Sequence, residues 1–261
     1  MLSLQIEWLS ERGGREINED ACGHWRSSRA LCAVLADGAG GHGGGDVASR
    51  LVVRELVSHF AQAPTMQAQE LGLLLHTVNE ALIAERVPGT AQQDMHSTVV
   101  CLVVDFVDGR AHWAHAGDSR LYWFRGGHVL QRTRDHSFVQ SLVDAGMLAP
   151  DQVRSHPQRS ELRSALGVTQ DQLEVDAAQG TQAVEPGDVF LLCTDGLWET
   201  MDDTTLERLL AEAPNPRAWL DALSAEVGRE VDRISGADAQ HDNFTALAVW
   251  ADAAPDAGHV N

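Results

Sequence analysis

The chain has 261 residues, which is enough for one large domain with a substantial core or for two small domains. Hydrophobic residues make up 44% of it and charged residues 22%, a composition that excludes a disordered chain. A formal net charge of −19, from 38 Asp and Glu against 19 Lys and Arg, disfavours nucleic acid and anionic membranes as partners.

Two kinds of segment alternate in blocks along the chain. Short runs rich in Val, Leu and Cys predict buried strands at 30–36, 98–105, 111–116, 121–124, 189–194 and 244–250. Longer runs with apolar residues at helical spacing predict helices at 46–60, 66–86, 138–145, 203–212 and 217–231. Two helices and then three strands follow one another directly, which is not a repeating βαβ pattern. The order predicts an α+β fold of antiparallel sheets with helices packed outside.

We interpret residues 1–252 as a single domain. The polar stretch 133–167 is interpreted as a lid or subdomain, and the Ala-, Asp- and Gly-rich tail 253–261 is expected to fray. The N-terminus lacks the basic and apolar regions of a signal peptide, and no apolar run is long enough to span a membrane. We therefore expect a cytoplasmic monomer with four reduced cysteines, at positions Cys22, Cys32, Cys101 and Cys193.

Five acidic residues lie next to predicted strands. Asp37 and Asp195 each end an apolar run and precede a glycine, Asp242 directly precedes a run, and Glu19 and Asp20 precede another short apolar stretch. Carboxylates at strand ends can converge at one rim of a sheet, where divalent cations would neutralise their repulsion. Oxygen ligands select Mg²⁺ or Mn²⁺. An Asp-Gly pair is also a common turn, so spacing alone leaves a metal site and simple turns as equal alternatives.

Other motifs have more than one interpretation. Arg15, close to Glu19, can be an ion-pair partner or can clamp a phosphate. The run 38–43 matches a dinucleotide-binding GxGxxG, but the helix after it is followed by a second helix, which argues against that fold. His112 and His115 form HxxH, yet residues three apart on a strand face opposite sides. Most of the 12 histidines are interpreted as surface or loop residues.

Taken in order, five motifs resemble the metal-dependent protein phosphatase (PP2C-type) family. They are 15–21 (REINEDA), 36–42 (ADGAGGH), 117–120 (GDSR), 194–198 (TDGLW) and 242–245 (DNFT). The resemblance extends over about residues 10–250, and TRDHS at 133–137 and ALG at 165–167 resemble the boundaries of the family's flap, here about 134–170. It implies a four-layer α-β-β-α fold, with a central antiparallel β-sandwich flanked by helix pairs.

The resemblance also implies roles for individual residues. Asp37 would bridge two Mn²⁺ or Mg²⁺ ions and Gly38 would bind one of them through its carbonyl oxygen. Arg15 would hold the substrate phosphate. The remaining metal ligands, direct or through water, would be Glu19, Asp20, Asp195 and Asp242, with Asp118 binding a third, weaker ion together with Asp195.

The implied reaction is hydrolysis of phosphoserine and phosphothreonine in proteins by a water that the two ions activate. The implied partners are phosphoproteins and a bacterial Ser/Thr kinase pathway, and the glycine-rich loop suggests a link to type VI secretion. Two positions depart from the family pattern: Ala39 replaces a histidine proposed as general acid in eukaryotic members, and residues 96–98 read His-Ser-Thr instead of Gly-Thr-Thr. The alternatives are an inactive phosphoprotein-binding member of the family and a two-metal phosphoesterase acting on small molecules.

Overall fold

The structure is a computed structural model that describes residues 2–39, 44–180, 182–235 and 241–253. Its strands are β1 Leu2–Glu11, β2 Asp20–Arg26, β3 Ala30–Ala39, β4 His96–Ser97, β5 Val99–Asp105, β6 Arg110–Ala116, β7 Arg120–Arg125, β8 His128–Arg132, β9 Asp176–Ala177, β10 Gln182–Ala183, β11 Val189–Cys193 and β12 Phe244–Ala253. Its helices are α1 Gly45–Gln62, α2 Ala68–Ala84, α3 Phe138–Asp144, α4 Asp195–Trp198, α5 Asp203–Glu212 and α6 Pro216–Ser235, with a 3-10 helix at Pro150–Ser155.

The strands form two antiparallel sheets. One has the order β1-β12-β11-β7-β8; the other has the order β10-β6-β5-β3-β2, with β4 pairing to β3 and β9 to β6. Helices α1 and α2 pack on the second sheet, and α5 and α6 pack on the first. The layers are therefore helix pair, sheet, sheet and helix pair, as the family resemblance implies.

Alternation along each strand separates three hydrophobic layers. In β3, Cys32 and Val34 face α1 and α2, whereas Leu31 and Leu35 face the opposite sheet. The same rule in β11 sends Phe190 inward, and its odd-numbered neighbours pack against α5 and α6. Strands that are buried on both faces explain why the sequence shows continuous apolar runs here.

The α+β prediction is confirmed, and each predicted strand and helix has a counterpart in the structure. β1, β8 and the two-residue strands β9 and β10 were not predicted, and β2 was recognised only as a short apolar stretch. β1 pairs along its whole length with β12, but its side chains alternate between apolar and polar types, which produces no apolar run. Residues 40–43 of the glycine-rich loop and the tail 254–261 lie outside the described residues.

The segment 134–170, predicted as a flap, lies between β8 and β9 and contains α3 and the 3-10 helix. Ser137 caps α3 by accepting a hydrogen bond from the Gln140 amide. An isolated bridge between Ser137 and Leu162 closes the segment on itself, and a second bridge, between Leu166 and Ser97 of β4, connects it to the sandwich. Among the described residues, none of the helices has the length and apolar character that crossing a bilayer demands.

Candidate metal centre

The predicted acidic residues meet at one end of the sandwich. Asp20 at the start of β2 pairs directly with Asp37 near the end of β3, so both side chains leave the sheet on the same face. Alternation places that face toward the first sheet, because Leu35 is an inter-sheet residue. Asp195 follows β11 in that first sheet, and Asp242 stands two residues before β12.

Hydrogen bonds from neighbouring strands fix the backbone of Asp37. Its amide donates to Thr98 Oγ1 at 3.0 Å, and its carbonyl accepts from the Thr98 amide at 2.8 Å and from Ser97 Oγ at 3.0 Å. Ser119 Oγ lies 2.7 Å from Thr98 Oγ1. The His-Ser-Thr variation at 96–98 therefore retains two side chains that hold Asp37 in place.

Gly38 and Gly45 pack backbone against backbone beneath Glu19. A Cβ atom on Gly38 would lie 1.9 Å from the Gly45 carbonyl oxygen, so glycine is required at this contact. The Gly38 amide donates to the Glu19 carbonyl oxygen at 3.1 Å, and the Gly45 amide donates to the Glu19 carboxylate. The first turn of α1 thus holds Glu19 beside Gly38.

The opposite sheet contributes through β11 and β12. Thr194 Oγ1 donates to Asp20 Oδ2 at 3.0 Å, which links the two sheets at the rim. The Asn243 amide donates to Asp242 Oδ1 at 2.8 Å, and its side-chain oxygen accepts from the Glu19 amide at 2.9 Å. One asparagine therefore fixes two of the predicted ligands relative to each other.

Asp118 joins the same end of the sandwich and is 4% exposed. Its carbonyl accepts a hydrogen bond from Trp198 Nε1 at 3.0 Å. Nearby, Arg120 forms a buried bidentate ion pair with Asp135, at 2.8 and 2.6 Å, and its guanidinium lies 3.5 Å from the Trp198 ring centre. These contacts make the GDSR segment one of the most tightly held parts of the site.

The electrostatics of the group indicate that it needs cations. Burial, reinforced by the neighbouring carboxylates, raises the pKa of Asp20 to about 7 and holds the pKa of Asp37 and of Asp195 well above the ordinary value. Burial, with Asp135 close by, raises the pKa of Asp118 to about 7. Asp20 Oδ1 is buried and has no hydrogen-bond partner in the described part of the chain. A ligand set of hard oxygen atoms with an orphaned carboxylate oxygen fits Mn²⁺ or Mg²⁺.

Glu199 is a member of this acidic group that sequence reasoning missed. It follows α4, where its charge raises the pKa of Asp118 and Asp195, and burial raises its own pKa. One carboxylate oxygen accepts from Arg159 of the predicted flap at 2.8 Å. The other is buried and, within the described residues, unpartnered. Only the short helix α4, which was not predicted, turns Glu199 back toward the site.

Arg15 lies at the edge of the group as an ion-pair partner. Its Nη2 donates to Asp242 Oδ2 at 2.7 Å, and both side chains are about half exposed. Of the two interpretations that the sequence left open, the ion pair is therefore observed. An Arg15 that is anchored on one proposed ligand and still open to solvent can also receive a phosphate group.

The histidines differ in part from the sequence-based interpretation. His112 and His115 do face opposite sides of β6, as expected for a strand. His115 and His136 are each 3% exposed: the first lies on β6 and the second in a buried loop. Together with Asp176 they present three ligand-type atoms within 4.8 Å of one another. Residues from two strands and a loop form this trio, so no sequence spacing could have revealed it.

Comparison with known proteins agrees with this architecture. The family model for protein phosphatase 2C matches residues 10–230. Serine/threonine protein phosphatase PstP of Mycobacterium tuberculosis is 36% identical over 207 residues, which cover 78% of this chain and 38% of PstP. Protein phosphatase PhpP of Streptococcus pneumoniae is 32% identical over 215 residues, covering 74% of this chain and 79% of PhpP. The chain belongs to the protein phosphatase 2C family. It spans well under half the length of the mycobacterial relative.

Solved structures show the same fold over nearly the whole chain. The Streptococcus agalactiae serine/threonine phosphatase aligns with a TM-score of 0.81 at 25% identity, covering 95% of this chain and 99% of that one. The PstP catalytic domain in complex with two manganese ions aligns with a TM-score of 0.77 at 29% identity, covering 97% and 100%. PppA of Pseudomonas aeruginosa, described as a key regulatory component of the type VI secretion system, aligns with a TM-score of 0.67 at 31% identity, covering 95% and 97%.

Proposed function

We propose that the chain is a metal-dependent phosphatase that hydrolyses phosphoserine and phosphothreonine in other proteins. The observation that carries this proposal is the convergence of Asp20, Asp37, Asp118 and Asp195 at one end of the sandwich, with pKa values raised by burial and mutual repulsion. Without cations, several buried carboxylates destabilise the folded state, and their oxygen atoms are suitable ligands for divalent ions. The family membership supports the same conclusion.

We assign the ligands as the family resemblance implies. Asp37 and the Gly38 carbonyl would hold the central ions, and Asp118 a third, weaker one. Two Mn²⁺ ions are the proposed physiological set, supported by the manganese complex of the similar PstP catalytic domain. The remaining proposed ligands are Glu19, Asp20, Asp195 and Asp242. Bound divalent ions supply a nucleophilic water at neutral pH and neutralise charge on the transferring phosphoryl group.

The residues of the chain have separate tasks in this scheme. Thr98 and Ser97 hold the Asp37 backbone in place, so that its carboxylate keeps a fixed position. Arg15 orients the phosphate with its planar guanidinium. The proton for the leaving oxygen has no assigned side chain, because Ala39 occupies the position of the histidine in eukaryotic members.

The substrate class is tested by comparing a phosphothreonine peptide with a nucleoside monophosphate at saturating Mn²⁺. We expect the peptide to be hydrolysed with the larger kcat/KM, because the matching family model and the relatives PstP and PhpP are protein phosphatases. A preference for the nucleotide would contradict the protein-phosphatase assignment. Absence of turnover with Mn²⁺ or Mg²⁺ would instead favour an inactive phosphoprotein-binding role.

Replacing Arg15 by alanine tests the phosphate-binding role. The loss of a charge-assisted contact should raise KM for the phosphopeptide roughly tenfold at saturating Mn²⁺, with a much smaller change in kcat. The matched control is Arg12→Ala, three residues away, whose side chain donates a hydrogen bond to the Glu16 carbonyl oxygen at 3.4 Å and to no other described residue. Equal KM values for wild type, Arg15→Ala and Arg12→Ala would remove Arg15 from substrate binding.

The cellular setting is part of the proposal. We propose that the phosphatase opposes a bacterial Ser/Thr kinase in the cytoplasm, and its likeness to PppA supports a link to type VI secretion. Phosphoproteomics of a strain lacking the gene should show phosphothreonine accumulating on secretion components. An unchanged phosphoproteome would contradict this cellular setting but would leave the proposed hydrolysis reaction unaffected. A monomeric state stays a prediction, to be tested by light scattering.

A further inference from the structure

A second group of ionisable residues lies beside the carboxylates and has no part in the scheme above. It consists of His115 on β6, Asp176 directly opposite it on β9, and His136 in the loop that follows β8. The two imidazole rings stack at 4.7 Å with an interplanar angle of 21°. The histidines are almost fully buried, whereas the Asp176 side chain is 64% exposed.

The hydrogen-bond partners decide where the protons of this trio are. The Gly117 amide donates to His136 Nδ1 at 3.2 Å, so Nδ1 carries no proton and Nε2 does. His136 Nε2 faces Asp176 Oδ2 at 3.3 Å. His115 Nε2 lies 2.8 Å from the Arg134 carbonyl oxygen, which can only accept. A cation would need the lone pair that His136 Nε2 lacks, so the trio is not an ion site. His136 is held between the Gly117 amide and Asp176, and His115 stacks on its ring.

His136 contacts the turn that presents Asp118. Gly117 has φ +102°, and a Cβ atom there would lie 2.7 Å from Thr98 Cβ, so a side chain at this position is excluded. The turn is held from outside instead. His136 accepts from the Gly117 amide through Nδ1, and its own amide donates to the Gly117 carbonyl at 2.9 Å. Trp198 Nε1 donates a hydrogen bond to the carbonyl oxygen of the next residue, Asp118, at 3.0 Å.

We propose that His136 is a positioning residue whose Nδ1 lone pair fixes the Gly117–Asp118 turn and thereby the placement of the Asp118 carboxylate. The inference rests on the proposed function, because it takes Asp118 to be a metal ligand. Without the acceptor, the Gly117 amide loses its partner in a buried site and the turn keeps one of its two bonds to His136. The Asp118 carboxylate then samples positions that bind the third ion less well.

Asp176 has a subsidiary part in this arrangement. Its carboxylate attracts the His136 proton to Nε2 and so leaves Nδ1 free to accept. Because Asp176 is largely exposed, water can replace it, and Asp176→Ala should have a smaller effect than loss of the His136 acceptor.

Two amide variants of His136 separate the acceptor role from packing. In His136→Asn the side-chain oxygen lies where Nδ1 was, whereas in His136→Gln the amide lies one bond further out, near the position of Nε2. Mn²⁺ binding is measured from the electron paramagnetic resonance signal of free Mn²⁺, and p-nitrophenyl phosphate turnover is titrated with Mn²⁺ in parallel. His136→Gln should weaken the weakest Mn²⁺ site about tenfold and leave KM for the phosphate ester unchanged. His136→Asn should bind Mn²⁺ like the wild type.

The matched control is His112→Asn on the same strand as His115. His112 is also buried, and its Nδ1 has no partner among the described residues, but it faces the far side of β6. It should alter thermal stability at most. Equal Mn²⁺ binding by His136→Asn and His136→Gln would overturn the positioning role, whether both match the wild type or both are weakened. A wild-type protein that binds Mn²⁺ but hydrolyses nothing would contradict the proposed function and leave the His136 comparison intact.

Discussion

Asp195→Asn should reduce phosphopeptide turnover on the order of a thousandfold while the protein stays folded. The proposed ligand loses its charge, although its size and position hardly change. In the absence of metal the same substitution removes one of several repelling carboxylates, since Asp118 and Glu199 raise the pKa of Asp195. The melting temperature of the metal-free variant at neutral pH should therefore equal or exceed that of the wild type. Steady-state kinetics with saturating Mn²⁺ and thermal melts in chelator measure the two effects.

Asp105→Asn is the matched control for this prediction. Asp105 also ends a buried strand, β5, but at the opposite end of the sandwich. Burial opposes its ionisation, yet hydrogen bonds from two backbone amides and from Arg29 outweigh burial and keep its pKa below the ordinary value. Its replacement should cost about 1–3 kcal/mol of stability and leave kcat intact. If Asp195→Asn behaved like Asp105→Asn, with lower stability and normal turnover, the ligand assignment would be wrong.

The metal-free protein should lose stability as the pH rises from about 5 to 8. The pKa values of Asp20 and Asp118 are raised to about 7 in the folded state, against 3.8 in the unfolded chain. Over this interval the folded protein holds protons that the unfolded chain has released, so the free energy of unfolding falls with pH. The total change should be several kcal/mol, or roughly 10 °C in melting temperature. Carboxylates with lowered pKa values, such as Asp105, act in the opposite direction, but below this interval.

Mn²⁺ should reverse this loss at pH 8 and have little effect at pH 5, where protons compete for the same oxygens. Thermal melts in chelator and in excess Mn²⁺, taken across the interval, measure the difference. Asp195→Asn should show a smaller dependence on both pH and metal, because it holds one repelling charge fewer. A metal-free protein whose stability rises steadily to pH 8, with or without Mn²⁺, would show that the carboxyls are not clustered as described.

Much of the fold could be predicted because its central strands are buried on both faces. The runs that correspond to β3, β5 and β11 are apolar along most of their length, because side chains on both faces of these strands are buried. β1 was missed because one of its faces carries polar side chains, including Gln5 and Glu7. Its place in the sheet comes from pairing with β12, which is more than two hundred residues away in the chain.

The candidate site was predictable to a different extent. Strand-end carboxylates such as Asp37 could be identified from local pattern, but the pattern could not exclude ordinary turns. Asp118 entered only through the family resemblance. Glu199 had no signal at all, and His136 entered only within TRDHS, as a boundary of the flap. The significance of both depends on neighbours that are distant in sequence: Asp118 for the first and Gly117 for the second. Such contacts are set by tertiary packing, which a single sequence does not display.

The most direct test of the proposed metal centre is the anomalous scattering of Mn²⁺ in crystals of the protein grown with the ion. We expect strong peaks within about 2.5 Å of the carboxylate oxygens of Asp37 and Asp20, at the rim shared by the two sheets. A crystal in excess Mn²⁺ whose Asp37 and Asp20 oxygens contact only protein and water, in a protein that still hydrolyses phosphopeptides, would contradict it.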